Sequence, residues 1–292
     1  LKPTVTVIVP VFNAEEWLEE VLNSLCNQSY SKERTEIIVV DDGSSDNSRD
    51  IIRRYPVQLL RGKGSRNPYV ARNLGLESAK GEVIAFTDAN KIPCERWIEN
   101  GVESLLGQKA DLVGGHIRFR VDERSGAAEI YDSITFNNNK MLTEREQAAV
   151  TGNLFVKRDL FKVLDKFPER MRSGMDVWWT RRAAELGFNL HFSEKAVVYC
   201  IPRKLKGVLR KSVRVGRSHP YNMRSAGMSF AAIAAATVKT FAPPRVSKLK
   251  QQLKDSPFPA SIGRVWIVAW LSKIGMGWGR LQGLTQLKKE MD

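Results

Sequence analysis

Cysteine and histidine are scarce, three of each in 292 residues. Cys26, Cys94 and Cys200 lie far apart and form no Cys-x-x-Cys pair, which excludes a disulfide framework and a zinc ribbon. They are expected as small apolar core residues in a reducing, cytoplasmic compartment. His116 and His191 are given no role. The stretch Leu1–Val9 holds no basic region followed by a long apolar run, so no cleavable signal peptide is expected. Internal repeats and low-complexity tracts are missing as well. Acidic residues almost vanish from the last third: residues 201–292 hold 18 Lys/Arg against Asp255, Glu290 and Asp292, a balance of +15, while the first 200 residues balance at −1. A neutral body is therefore joined to a cationic end, which attracts nucleic acid, anionic lipid or phosphorylated substrates.

What is present is an alternation. Val5–Pro10 and Glu36–Val40 are short β-branched runs that read as buried parallel strands. Between them, Trp17, Leu18, Val21, Leu22 and Leu25 mark one helical face over 14–28, with Asn13 placed to cap it. A helix is expected over 46–55, a strand over 57–60, a helix over 71–78 and a strand over 83–87 that ends at Asp88. This order implies an α/β fold with an open, Rossmann-like, mostly parallel sheet and helices on both faces. Ligands in such sheets bind at the carboxyl ends of strands, here Pro10–Asn13, Asp41–Ser45 and Asp88–Asn90. Further on, the pattern predicts a strand over 112–121 on which an acceptor lies, an irregular stretch at 137–139, a helix over 175–186 and a strand pair at 191–199 and 201–202. The expected division is a catalytic domain over 1–200, with a donor half to about 110, and a basic, partly apolar helical extension over 201–292.

The segments VIVPVFN, EIIVVDDGSSDNS, ARNLGL and GEVIAFTDAN occur in the order and spacing of family-2 glycosyltransferases, and the chain resembles that family closely over 4–95 and more loosely to about residue 200. The resemblance implies the GT-A fold and inverting transfer of a sugar from a nucleotide-diphosphate sugar. It implies that Asp41 contacts the base, with Pro10, Val11 and Asn13 lining the pocket; helix capping is the competing role for Asp41 and Asp42. Arg72 offers a forked cation to the base or diphosphate, or else a salt bridge. The family's Asp-x-Asp metal motif reads Asp88-Ala89-Asn90 here. Asp88 matches the ribose contact, Asn90 replaces the metal-facing carboxylate by an amide, and Lys91 stands where it can neutralise a leaving diphosphate. A divalent cation, Mg or Mn, is expected with Asn90 as its ligand. Gly152 and Asn153 resemble the loop beneath the donor.

The family's catalytic base lies in an acidic pair at a helix start; here the pair is Met175-Asp176, so the role falls to Asp176 or is replaced by a helix-dipole contact. Lys211, Arg214, Arg217 and His219 are the candidate phosphate clamps. Trp178 and Trp179 suit either a sugar face or a core. In the extension, Phe230–Phe241 is too short to span a membrane, and Ile262–Trp278 contains Arg264 and Lys273. Residues 228–292 are expected to lie on a membrane surface with Trp266, Trp270 and Trp278 near the headgroups, or to dock on the catalytic body. Three accounts of the chain follow. One is a transferase at the cytoplasmic face of a membrane, acting on a lipid-linked or polysaccharide hydroxyl. Another keeps nucleotide-sugar binding and loses catalysis, motivated by Asn90 and Met175. Nucleic-acid binding is set aside, because the tail lacks interleaved aromatics and any reader motif.

Overall fold

The computed structural model describes residues 2–135, 138–225, 227–254 and 261–291. In chain order the elements are β1 (Val5–Val11), α1 (Glu15–Cys26), β2 (Thr35–Asp41), α2 (Ser48–Ile52), β3 (Gln58–Arg61), α3 (Pro68–Ser78), β4 (Val83–Thr87), β5 (Lys91–Pro93), α4 (Trp97–Gly107) and β6 (Leu112–Phe119). There follow α5 (Ala127–Thr135), α6 (Asn139–Glu146), β7 (Asn153–Lys157), α7 (Leu160–Leu164), α8 (Met175–Glu185), β8 (Leu190–Cys200), α9 (Leu205–Ser225), α10 (Phe230–Thr240), α11 (Val246–Lys254) and α12 (Ile262–Met291). They form two units: the first comprises Leu1–Arg118, Asn137–Met171 and Met175–Ile201, the second Phe119–Phe136, Arg172–Gly174 and Pro202–Asp292.

Unit 1 is built on one eight-stranded sheet ordered β3-β2-β1-β4-β7-β6-β8-β5. The β-branched runs of β1 and β2 have no polar face, so both strands are interior. The pairs β2–β3, β1–β2 and β1–β4 are parallel; β4–β7, β6–β7 and β5–β8 are antiparallel. Pro10 lies past the last β1–β4 pair, Ile8 opposite Phe86, so its missing N–H breaks no ladder on that side. Leu112–Phe119 forms a strand as expected, an interior one between β7 and β8. The expected strand pair after residue 190 is one continuous β8. Asn138 caps α6 by accepting from the Met141 N–H at 2.9 Å, and Asn137 lies outside the described residues.

Unit 2 is helical, and its core gathers Ile130 and Tyr131 of α5, Val208 of α9, Leu249 of α11 and Val265, Val268 and Ala269 of α12. Helices α9 and α12 approach until backbones touch: a Cβ on Gly216, Gly279 or Gly283 would collide with the carbonyl oxygen of Met276, Val213 or Arg217 respectively. Ser212 and Ser272 share a hydrogen bond of 2.7 Å across the same seam. No helix among the described residues is long and apolar enough to cross a membrane.

Candidate active site

The parallel strands end together. The β1–β2 register closes with Val11 opposite Asp41, and β4 stops one residue before Asp88. Asn13 ties two of these ends: its Oδ1 accepts from the Ser45 N–H at 2.8 Å, and its own N–H donates to Ser44 Oγ at 2.9 Å. It therefore does not cap α1. Its φ of 49° turns the chain, and Ala14 occupies the cap position without a side-chain bond. Pro10 is half-buried at the strand end, while the Val11 side chain is buried in the core and leaves only backbone to a ligand.

Asp41 is fully buried and caps no helix. Arg49 of α2 grips its Oδ2 through Nε at 3.0 Å and Nη2 at 2.6 Å, and the Ser44 N–H donates to Oδ1 at 3.1 Å. Burial alone would raise this carboxyl's pKa, but the bonds from Ser44 and Arg49, with the guanidinium charge, outweigh it and hold it below the ordinary carboxylate value. Asp42 shapes the loop before α3 instead, accepting from the N–H groups of Gly64, Ser65 and Asn67.

At the end of β4, one carboxylate lies between two buried cations. Arg72 Nη2 reaches Asp88 Oδ1 at 2.5 Å, and Lys91 Nζ pairs with Asp88 Oδ2. Arg72 is 4% exposed and Lys91 2%. Burying two cations on one carboxylate leaves an excess positive charge that an anion would relieve. The Arg72 Nε is buried and has no hydrogen-bond partner among the described residues. A Cβ on Gly152 would sit 2.6 Å from Lys91 Cε and 3.2 Å from Asp88 Oδ2, so the glycine makes room for the lysine. Asn90 is half-buried beside them.

Asp176 stands in the first turn of α8, buried. Its Oδ1 accepts from Tyr69 Oη at 2.8 Å and from the Val177 N–H at 3.0 Å; its Oδ2 accepts from the Thr151 N–H at 3.0 Å and Thr151 Oγ1 at 3.1 Å. Four donors fill the carboxylate's four acceptor positions. Burial, and then the Asp176 charge, push the Tyr69 phenol well above its ordinary pKa, so it stays protonated and donates. The Tyr69 oxygen also accepts from the Met175 N–H at 3.1 Å, and the Arg72 guanidinium lies 5.5 Å from the Tyr69 ring centre. Tyr69 thus joins Asp176 to the Asp88 cluster, with Thr151 and Gly152 on the other side. Neither Tyr69 nor Thr151 stands out in the sequence, although Tyr69 lies one helical turn before Arg72 and Thr151 is the neighbour of Gly152. Arg49 has no such signal.

Asn153 does not face a donor. Its Oδ1 accepts from the Trp97 indole N–H at 2.8 Å, and its Nδ2 donates to the carbonyls of His116 at 2.9 Å and Ala196 at 2.8 Å. Every polar atom of the side chain is used inside the sheet. Trp179 is core, stacked on Phe161 with centroids 4.8 Å apart, and Trp178 is exposed.

The four basic candidates lie on α9 in unit 2. Two differ from expectation. Lys211 is buried with Nζ 3.9 Å from Asp132 Oδ1, a carboxylate that Arg203 also grips, so its charge is already answered. His219 Nδ1 accepts from Arg280 at 3.0 Å, and burial followed by the Arg280 charge lowers its pKa to about 4. It is neutral near pH 7 with that nitrogen occupied, so it is no phosphate donor through Nδ1. Arg214 and Arg217 are exposed, the latter donating to Gln282 Oε1 at 2.6 Å.

Residues 6–165 match glycosyl transferase family 2. Across 99% of its length the chain is 33% identical to glycosyltransferase AglE of Haloferax volcanii and covers 98% of that protein. The chain belongs to glycosyl transferase family 2. This nucleotide-sugar-dependent glycosyltransferase shares its GT-A fold with the mannosyltransferase PcManGT of Pyrobaculum calidifontis, solved with GDP-Man and Mn2+, at a TM-score of 0.58, 19% identity and coverage of 100% of this chain and 76% of that one. A second neighbour is residues 1–349 of Staphylococcus aureus TarS, solved with UDP-GlcNAc, at a TM-score of 0.56, 21% identity and coverage of 72% and 66%. The described residues do not make a cation cage of their own. Asp88 is held by two cations, Asn90 is an amide, and no group of three His, Cys, Asp or Glu side chains among the described residues could hold a metal ion.

Proposed function

We propose that this transferase moves a hexose from a uridine or guanosine diphosphate sugar to a hydroxyl of a lipid-linked or polysaccharide acceptor, with inversion at the anomeric carbon and Asp176 as general base. The observation that carries the reading is the Arg72–Asp88–Lys91 cluster at the strand ends. Its excess positive charge suits a diphosphate, and Lys91 and Arg72 supply the neutralisation that a leaving diphosphate requires. Asp41 and the strand-end backbone of Pro10 and Val11 take the base and ribose, with Arg49 shifting to admit them. Asn90 contributes an amide oxygen, so any Mg or Mn is held chiefly by the diphosphate itself.

To take a proton, Asp176 must lose one of its four donors, and the Thr151 hydroxyl can do this by rotating about its own bond. The reaction runs at a membrane surface on the cytoplasmic side, through residues 228–292, consistent with three cysteines that form no disulfide. The fully bonded state of Asp176 favours one alternative, a protein that binds nucleotide sugar and turns it over weakly or not at all.

One experiment separates the two: nucleotide release and donor binding measured on the same preparation of Asp176→Asn. The variant faces buried donors with an amide NH2, so the donor titration also reports the folded fraction. With Asp176 as base, donor affinity survives and turnover per bound donor falls about 10²–10⁴-fold. Normal binding with turnover within a few-fold of wild type removes Asp176 from the chemistry. A wild-type protein that binds donor without releasing nucleotide leaves only the alternative.

A further inference from the structure

Helix α12 is apolar on two opposite faces. One face is core: Val265, Val268, Ala269 and Ser272 are buried, and Gly279 and Gly283 press on α9. The other is bare. Between residues 265 and 284 every exposed position of the helix is a large apolar residue: Ile267, Trp270, Leu271, Ile274, Trp278 and Leu281. At 100° per residue these six fall within one stripe about 100° wide. Ile267 and Trp278 are 53% and 55% exposed. A single exposed leucine is ordinary; six in a row on a 30-residue helix are a patch that something covers.

Its surroundings say what. Exposed cations bound the stripe at both ends, Arg264 before it and Lys288 and Lys289 after it. The Trp270 indole N–H is anchored to the Phe241 carbonyl at 3.1 Å, which fixes that ring at the edge of the patch. Trp266, expected at the headgroups, is instead half-buried and anchored to Pro244 O at 3.0 Å. An uncharged apolar band with a fixed aromatic and cations at its ends is the pattern of a helix lying in a lipid interface. Self-association would bring together two segments that each carry a balance of +15.

We propose that the outward face of α12 seats the protein on an anionic lipid surface, Ile267 to Leu281 entering the acyl boundary and Arg264, Lys288 and Lys289 meeting the headgroups. This deepens the membrane attachment proposed above and is independent of the sugar chemistry. The test is sedimentation of the full chain with phosphatidylcholine vesicles, with and without phosphatidylglycerol. Wild type should partition onto the anionic vesicles, less strongly as salt is added, and only weakly onto the neutral ones.

Ile274→Glu combined with Trp278→Glu, both at exposed positions, should abolish partition while leaving the melting temperature and donor binding unchanged. Lys288→Gln with Lys289→Gln should weaken it about thirtyfold, from roughly fivefold per cation near such a surface. Unchanged partition in the Ile274/Trp278 variant, or equal wild-type binding to both vesicles, overturns the proposal. So does a dimer in sedimentation velocity that this variant breaks, since the occupant is then a second copy. Loss of turnover with intact partition counts against the catalytic reading alone.

Discussion

Unit 1 organises its interior through polar groups that each make several hydrogen bonds, as Asp41, Asp42, Asn153 and Asp176 do, whereas the main seam of unit 2 is made by glycines that let two helix backbones meet. The contrast matches the work proposed above for each unit. Strand ends that must hold charge for a substrate need their side chains fixed in direction, and hydrogen bonds give direction. A helical platform needs only close approach on one side, which leaves its other side open for a surface of a different kind.

The sharpest way to break this comparison is Asn153→Ala. It strands the buried Trp97 N–H and the carbonyls of His116 and Ala196, so unfolding in urea should show a loss of about 4 kcal/mol, at roughly 1–3 per stranded group. A loss under about 1 kcal/mol would mean that the polar pin is dispensable. Unit 2 has its own half-buried polar group in His219. Its folded pKa of about 4 lies below the unfolded value near 6.5, so the neutral form is favoured by folding. That stability is intact above pH 6.5 and is lost as pH falls through 4, about 3 kcal/mol in all. Melting curves between those limits should show the loss, and His219→Asn, which keeps an acceptor for Arg280, should flatten it; equal slopes would clear the histidine.

Gly279→Ala tests the glycine seam itself. Its Cβ meets the Val213 carbonyl, and a cost of about 1–3 kcal/mol in thermal melting is expected. Gly263→Ala, with open space around it, should cost nothing; equal effects at the two positions would show that helix propensity rather than contact is being measured. The smallest effect belongs to Asn90→Asp. A second carboxylate beside Asp88 should raise divalent-metal affinity about tenfold by calorimetry. An unchanged affinity would place Asn90 away from the ion.

Much of unit 1 was legible because its strands are continuous apolar runs between turn residues, and Val83–Thr87 matches β4 end to end. The helix over 46–55 shrinks to Ser48–Ile52, because Asp46, Asn47 and Ser48 are engaged in bonds to Glu15 and Ala14. Asn153 was misread for a physical reason: its partners lie 37 and 43 residues away on β6 and β8, and no local pattern reports strand order. Tyr69 was passed over because it precedes the helix expected over 71–78, whereas α3 begins at Pro68 and takes Tyr69 into its first turn. In unit 2, α9 was seen only as a basic segment, since Gly216 and Pro220 inside it read as helix breakers. Both faces of α12 lack charge over most of its length, so periodicity could not tell surface from core.

Unit 2 is assembled from three separate stretches of sequence, and α12 comes last. During synthesis, at roughly 5–20 residues per second, α5, α9, α10 and α11 emerge before the helix that completes their core. Until the residues around Gly283 have left the ribosome, the α9 seam has no second side, and Val208 and Ile130 wait without the cover of Val265 and Val268. The nascent chain therefore passes through an interval in which the parallel strands are already made while its helical remainder is open to chaperones and proteases. Protease resistance of that remainder should appear late and all at once, timed by chain elongation rather than by the strength of any single contact.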